Sequence, residues 1–239
     1  MLLNILKREG IDVFTGAEVV RAIEKSGQKN VTVMLDGKER EFSAREILLA
    51  AGRIPNTKIG LDKAGVDLDD SAIRVNDELK TSADNIWAIG DVLGGHMYTH
   101  RATYDASIAA LNAIKDLGKR RDYRVVPRAT FTQPNLASVG LTESEALDNG
   151  YEILTGSYDF KNSGKARAIG ETDGRVKIIV DAASRQILGA HILGPQAADL
   201  IHEAVTAMHN NGTVDSITKS IHIHPTVSEI IKSAAKAVK

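Results

Sequence analysis

The alternation of hydrophobic and polar residues is clearest in the second half of the chain. Short apolar runs with period-two character predict strands at Tyr151–Phe160, Val176–Val180 and Ile187–Leu193, the last two forming a hairpin of an antiparallel sheet. Thr142 and Glu145 are spaced as a capping box that begins a short helix. Apolar residues at helical spacing predict two later helices. One runs from Pro195 to about Asn210, with Leu200, Ile201, Ala204, Val205 and Met208 inward, and one follows Pro225, with Val227, Ile230, Ile231 and Ala234 inward.

The first half has a different pattern. The opening residues predict a helix that Gly10 ends, followed by a strand at Ile11–Phe14. A β-meander is predicted next, from strands at Val19–Ile23, Val31–Leu35 and Arg40–Phe42, with the last two joined by an Asp36-Gly37 turn. The apolar run Ile47–Ala51 is expected to be a fully buried strand that ends at Gly52. A short helix at Ile59–Val66 and a strand at Ile73–Val75 are expected after it.

The stretch Thr81–Val92 reads as a turn followed by a buried strand, Ile86–Ile89, that stops on Gly90 and Asp91. Strands of open α/β sheets present ligand-binding residues at their carboxyl ends. Gly90 would let a ligand approach the backbone, and the Asp91 carboxylate can accept hydrogen bonds from sugar-like hydroxyls. A core strand that merely ends in an Asp turn is an equally good interpretation of this stretch alone.

A long helix is predicted from Thr99 to Leu117. Its inward face is expected to carry small apolar residues, namely Ala102, Ala106, Ala109, Ala110, Ala113 and Leu117. The beginning of this helix follows Asp91 closely, and a helix N-terminus stabilises negative charge. The basic stretch Lys161–Gly170 is expected to be a solvated loop.

Composition excludes several classes of function. The 239 residues are 43% hydrophobic and 26% charged, and 30 basic against 31 acidic residues give a net charge of -1. There is no basic stripe for nucleic acid, no apolar run of the roughly 20 residues that a membrane span needs, and no signal peptide, so a cytoplasmic protein without membrane or nucleic-acid partners is expected. The histidines match no zinc signature and Cys is absent, so we predict no metal site.

Four stretches in order resemble the pyridine nucleotide-disulfide oxidoreductases, the family that includes dihydrolipoamide dehydrogenase, glutathione reductase and mercuric reductase. They are Ala50–Thr57 (AAGRIPNT), Thr81–Asp91 (TSADNIWAIGD), Phe131–Gly140 (FTQPNLASVG) and His222–Glu229 (HIHPTVSE). The resemblance implies an α/β plus α+β fold, in which partial FAD/NAD(P)-binding Rossmann-type segments precede an α+β dimerisation domain with an antiparallel sheet. The implied domains are 1–57 (C-terminal part of the NAD(P)-binding domain), 58–122 (C-terminal part of the FAD-binding domain) and 123–239 (dimerisation domain). Neither a Gly-x-Gly-x-x-Gly fingerprint nor a Cys pair occurs, so we expect the C-terminal half of a larger enzyme.

The resemblance also implies the roles of individual residues. Gly52 would lie near the nicotinamide half of NAD(P), although a glycine in a turn before Pro55 is an equally good interpretation of the local sequence. Gly90, Asp91 and the backbone of Met97, Tyr98 and Thr99 would bind FAD. His224 and Glu229 would be the acid-base dyad for a substrate thiol, and replacement of His222 is expected to matter much less. One departure is Asp105-Ala106, where many dihydrolipoamide dehydrogenases have Glu-Gly.

The implied function is electron transfer between NAD(P)(H), FAD and a small dithiol or disulfide substrate such as a lipoyl group, in a homodimer. Dihydrolipoamide dehydrogenase is the first choice, with this fragment expected to be inactive alone. A mercuric reductase-like enzyme is the second choice. A non-catalytic homodimerisation module is the alternative from another class.

Overall fold

The computed structural model describes all 239 residues, and they form two compact units, Met1–Arg53 and Ile54–Lys239. The first unit begins with helix α1 (Leu2–Arg8), as predicted. It continues with an antiparallel sheet of three strands, β1 (Glu18–Lys25), β2 (Gln28–Leu35) and β3 (Lys38–Ala44), in the order β1-β2-β3. Both connections are two-residue turns in the left-handed region, Ser26-Gly27 and Asp36-Gly37. Such turns match the twist of the strands, so the predicted meander is confirmed.

Two predicted strands of this unit are wrong. Ile11–Phe14 and Ile47–Ala51 have extended or irregular backbone but pair with no strand. Leu48 is 91% exposed and Leu49 is 84% exposed. A fully apolar strand is stable only between strand neighbours, and the three-stranded sheet of this chain provides none for these segments.

The second unit begins with short elements. A 3₁₀ turn at Leu61–Ala64 replaces the predicted α-helix, and β4 (Leu68–Asp69) pairs with β5 (Ala72–Ile73). The predicted strand Ile86–Ile89 is also wrong, because the only ladder contact there is an isolated bridge between Lys80 and Trp87. Helix α2 (Thr99–Lys115) follows and ends at Asp116 in the left-handed conformation.

The face that α2 buries differs from the prediction. Ala102 and Ala106 are half-buried, whereas Ala110, Ala113 and Leu117 are exposed. The buried residues of the helix are Arg101, Asp105, Ile108, Ala109 and Asn112. They recur at helical spacing and include three polar side chains, so a polar network takes the place of an alanine face.

The rest of the second unit is an α+β layer that confirms the predicted antiparallel sheet. Five strands lie in the order β6-β7-β10-β9-β8, each antiparallel to its neighbours. Their bounds are Arg128–Thr130 (β6), Asn135–Gly140 (β7), Ile153–Asp159 (β8), Arg175–Asp181 (β9) and Ile187–Gly194 (β10). The helices are α3 (Glu143–Asp148), α4 (Gly164–Ala168), α5 (Ala197–His209), α6 (Val214–Thr218) and α7 (Glu229–Lys236).

Helices α5 and α7 pack on the sheet and enclose the largest core. The fully buried side chains in it include Val139, Val176, Ile178, Ile192, Ile201, Ile230 and Ile231. The capping box of Thr142 and Glu145 is present at the beginning of α3. Helix α4 lies where a solvated loop was predicted, because Ser163 caps it and Ala166 is completely buried. The domain boundary at residue 122 stays a prediction. No helix of the chain combines the length and apolarity needed to cross a bilayer.

Candidate functional site

His224 and Glu229 lie together at the beginning of α7. The Nδ1 atom of His224 is 3.0 Å from Oε1 of Glu229, and the other carboxylate oxygen accepts the Thr226 backbone N–H at 2.9 Å. Helix α7 begins at Glu229, so the carboxylate sits in the first turn, where a negative charge is favoured. The loop before it brings the imidazole back over this turn.

The electrostatics of the pair suit an acid-base role. The Thr226 N–H bond and then the His224 hydrogen bond lower the pKa of Glu229, so its side chain is a carboxylate at neutral pH. A carboxylate that accepts from Nδ1–H fixes the tautomer of the ring and leaves Nε2 as the bare nitrogen of a neutral imidazole. The His224 side chain is 81% exposed, so Nε2 is open to an incoming thiol.

A second imidazole-carboxylate pair lies beside the first and was missed from the sequence. The Nε2 atom of His222 is 2.9 Å from Oε1 of Glu203 on α5, and the His222 side chain is only 9% exposed. The two residues are 19 positions apart and on different elements, so no local spacing pointed to the pair.

Gly90 and Asp91 lie in a 3₁₀ turn, Gly90–Leu93, rather than at the end of a strand. Gly90 is buried with φ +72°, and a Cβ atom there would lie 3.1 Å from the Cβ atom of Ala102 on α2. Glycine is therefore required for backbone conformation and for packing against the helix. The Asp91 side chain lies at the exposed surface of the same turn.

Met97, Tyr98 and Thr99 lead directly into α2. Tyr98 is the N-cap residue, and the first helical hydrogen bond runs from the Ala102 N–H to the Tyr98 carbonyl at 3.0 Å. No side chain caps this helix, so the first amides point out of its N-terminus and can interact with an anion. The Tyr98 ring stacks between the rings of His96 and His100.

A buried network of side chains holds the segment between Gly90 and Thr99 in place. Asp105 is completely buried, accepts the Tyr123 hydroxyl at 2.6 Å and the Gly90 N–H at 3.4 Å, and lies 3.6 Å from the Nε atom of Arg101. Arg101 in turn donates to the carbonyls of Gly94 at 2.7 Å and His96 at 3.0 Å. One ion pair on α2 thus holds both ends of the loop that precedes the helix. The signal in the sequence was the Arg101/Asp105 spacing of four residues on a helix.

Gly52 lies in the first unit, away from any helix or strand. Its φ is +105°, and nothing lies within 4 Å of a Cβ atom built on it. The backbone conformation at this position therefore favours glycine, and the space where a side chain would stand is open. No group of three His, Cys, Asp or Glu side chains is arranged to hold a metal ion.

Comparison with known proteins covers nearly the whole chain. Residues 1–106 match the pyridine nucleotide-disulphide oxidoreductase family, and residues 126–235 match the dimerisation domain of the same family. A dihydrolipoyl dehydrogenase of Mycobacterium tuberculosis is 38% identical over 95% of the chain and 49% of its own length. One of Thermus scotoductus is 39% identical over 100% of the chain and 52% of its own length. The solved structure of the HOCl-induced flavoprotein disulfide reductase RclA from Escherichia coli has a TM-score of 0.89 at 30% identity, over 100% of this chain and 55% of its own.

The chain thus spans about half the length of the relatives that it matches. The predicted fold class is confirmed by these matches together with the antiparallel sheet. They do not test the roles of single residues, so those roles stay predictions.

Proposed function

Because the chain belongs to the pyridine nucleotide-disulphide oxidoreductase family, we propose that it supplies half of an FAD-dependent NAD(P)H:disulfide oxidoreductase of the dihydrolipoyl dehydrogenase kind. The observation that carries the proposal is the His224–Glu229 pair at 3.0 Å, held in the dimerisation domain with its ring open to solvent. The relatives named dihydrolipoyl dehydrogenase support a small dithiol, such as a dihydrolipoyl group, as the substrate.

In this proposal the FAD site uses the turn Gly90–Leu93 and the first turn of α2. FAD, when bound, supplies two-electron transfer between a nicotinamide and a dithiol-disulfide pair. The Asp91 carboxylate would accept hydrogen bonds from the ribityl hydroxyls, and the amides around Thr99 would stabilise negative charge on the flavin ring. The exposed carboxylate and the uncapped helix N-terminus fit these roles. Gly52 would face the nicotinamide half of NAD(P).

The dyad acts on the substrate thiol. A thiol with a pKa near ~8.5 is mostly protonated at neutral pH, whereas the thiolate is the nucleophile. The bare Nε2 of His224 takes the proton, and Glu229 stabilises the imidazolium that forms. The thiolate then attacks a cysteine disulfide, displaces one sulfur as a thiolate and forms a mixed disulfide. This chain has no Cys, so the disulfide must come from another segment, and the dimerisation domain favours a homodimer in which the dyad serves the partner's site.

The test is His224→Gln in the complete enzyme. We expect dithiol oxidation to fall by roughly 10² to 10⁴-fold, as for the loss of one general base, while FAD content and NADH-to-dye activity change little. His202→Gln is the matched control, because His202 is an exposed imidazole on α5. Equal losses of dithiol and dye activity in His224→Gln would contradict the base role. The mercuric reductase-like alternative stays a prediction, and a yellow, dithiol-oxidising enzyme would exclude the non-catalytic module.

A further inference from the structure

The segment Ile221–Pro225, which carries His224, has no backbone support of its own. None of its amides or carbonyls bonds to another backbone group. Its two isoleucines point to solvent, with Ile221 98% exposed and Ile223 78% exposed. The position of His224 in this chain therefore depends on side-chain contacts.

His222 makes the one side-chain hydrogen bond from this segment to a distant element of the fold. Its Nε2 atom lies 2.9 Å from Glu203 Oε1, and its Nδ1 atom lies 3.3 Å from the Ser220 carbonyl. Glu203 belongs to α5, whose neighbouring residues Ile201 and Ala204 are buried in the main core. The ring of His222 thus links a loop without backbone bonds to a rigid helix.

Local contacts hold the other side of His224. The Thr226 hydroxyl donates to the Ile223 carbonyl at 2.7 Å, and Glu229 accepts from both His224 and the Thr226 N–H. These bonds tie His224 to the beginning of α7, which packs in the same core as α5 through Ile230 and Ile231. For the segment Ile221–Pro225 itself, the hydrogen bond to α5 is the one between His222 and Glu203.

We propose that the Glu203–His222 pair is a positioning pair that fixes the loop against α5 and thereby keeps the His224 Nδ1–H directed at Glu229. The catalytic meaning of this role rests on the proposed function, whereas the mechanical coupling does not. A base displaced by about 1 Å can lose roughly 10²-fold in rate, so the coupling sets how well His224 can work. Replacement of His222 is therefore expected to disturb His224 more than the sequence alone indicated.

The 239-residue chain itself provides the test, without any turnover. It has 7 His residues, so ¹⁵N-histidine labelling gives few enough ring signals to assign by single substitutions. In the wild type we expect His224 as one neutral tautomer with the proton on Nδ1. In His222→Ala and Glu203→Ala we expect a mixture of tautomers, and about tenfold faster hydrogen exchange of the Thr226 amide, which corresponds to ~1.4 kcal/mol of opening free energy.

His222→Gln is the conservative variant, because its amide nitrogen can replace Nε2 and donate to Glu203. It should restore the single tautomer and the slow exchange, and His202→Ala should change neither. Wild-type His224 signals in both alanine variants would overturn the proposal. If an alanine variant does not fold, a His224 tautomer mixture in folded His222→Gln, alongside unchanged signals in His202→Ala, would overturn it as well. None of these measurements uses catalysis. Unchanged dithiol oxidation in His224→Gln would therefore refute the proposed function and leave the coupling of His222 to His224 standing.

Discussion

The buried pair of Arg101 and Asp105 provides the sharpest test of how this fold is stabilised. Asp105 is completely buried, and its carboxylate has a Tyr123 hydroxyl at 2.6 Å and the Arg101 Nε at 3.6 Å. The Nε atom of Arg101 is buried and has no hydrogen-bond partner. Asp105→Asn keeps the shape and one acceptor oxygen, so it mainly removes the negative charge opposite a buried cation.

The expected cost follows from that geometry. Removing one partner of a buried pair leaves an uncompensated charge, at a cost of about 3–5 kcal/mol. We expect Asp105→Asn near the lower end, ~3 kcal/mol, because the Tyr123 bond can survive, and Asp105→Ala near the upper end. For a chain of this size ~3 kcal/mol corresponds to a fall in Tm of about 6–12 °C.

Urea unfolding followed by tryptophan fluorescence measures this, because Trp87 is the single Trp and packs against the core cluster that contains Ile108 and Ala109 of α2. Asp84→Asn is the matched control: its carboxylate is fully exposed and pairs with Lys80 at 3.4 Å, so it should change the free energy of unfolding by less than about 1 kcal/mol. A loss below about 1 kcal/mol for Asp105→Asn would refute the assignment of a stabilising charge pair.

Three further outcomes are expected. Gly156→Ala should destabilise the chain by at least about 2 kcal/mol by calorimetry, because its Cβ atom would lie 2.2 Å from the Ala234 carbonyl oxygen, whereas Gly164→Ala on α4 meets nothing and should be neutral or stabilising; equal Tm values would argue against the close packing. Burial lowers the pKa of His191 below its usual 6.5, so its neutral form stabilises the fold above that pH and the stabilisation is lost as pH falls. His191→Gln should flatten the acid side of the stability profile, and an unchanged profile would remove His191 as the cause. The 239-residue chain alone should bind FAD weakly, since the pyrophosphate-binding fingerprint is absent, and sub-micromolar affinity in equilibrium dialysis would disprove this.

The sequence alone determined the elements whose signals are local. The antiparallel strands β8, β9 and β10, the capping box of Thr142 and the final helix follow from periodicity and from capping residues within a few positions. The pairing of His224 with Glu229 was implied by the resemblance of HIHPTVSE to the family motif, and the 3.0 Å contact places the two residues together.

Tertiary structure decided whatever depends on partners far along the chain. The runs Ile86–Ile89 and Ile47–Ala51 are apolar enough for buried strands, yet a strand exists only where a neighbour accepts its hydrogen bonds. The buried side of α2 was misassigned because apolar pattern favours alanines, whereas Asp105 is buried through bonds to Tyr123, 18 residues away. The contact of His222 with Glu203 likewise spans 19 residues and two elements. Local periodicity carries no information on such contacts, because they form only when packing brings the elements together.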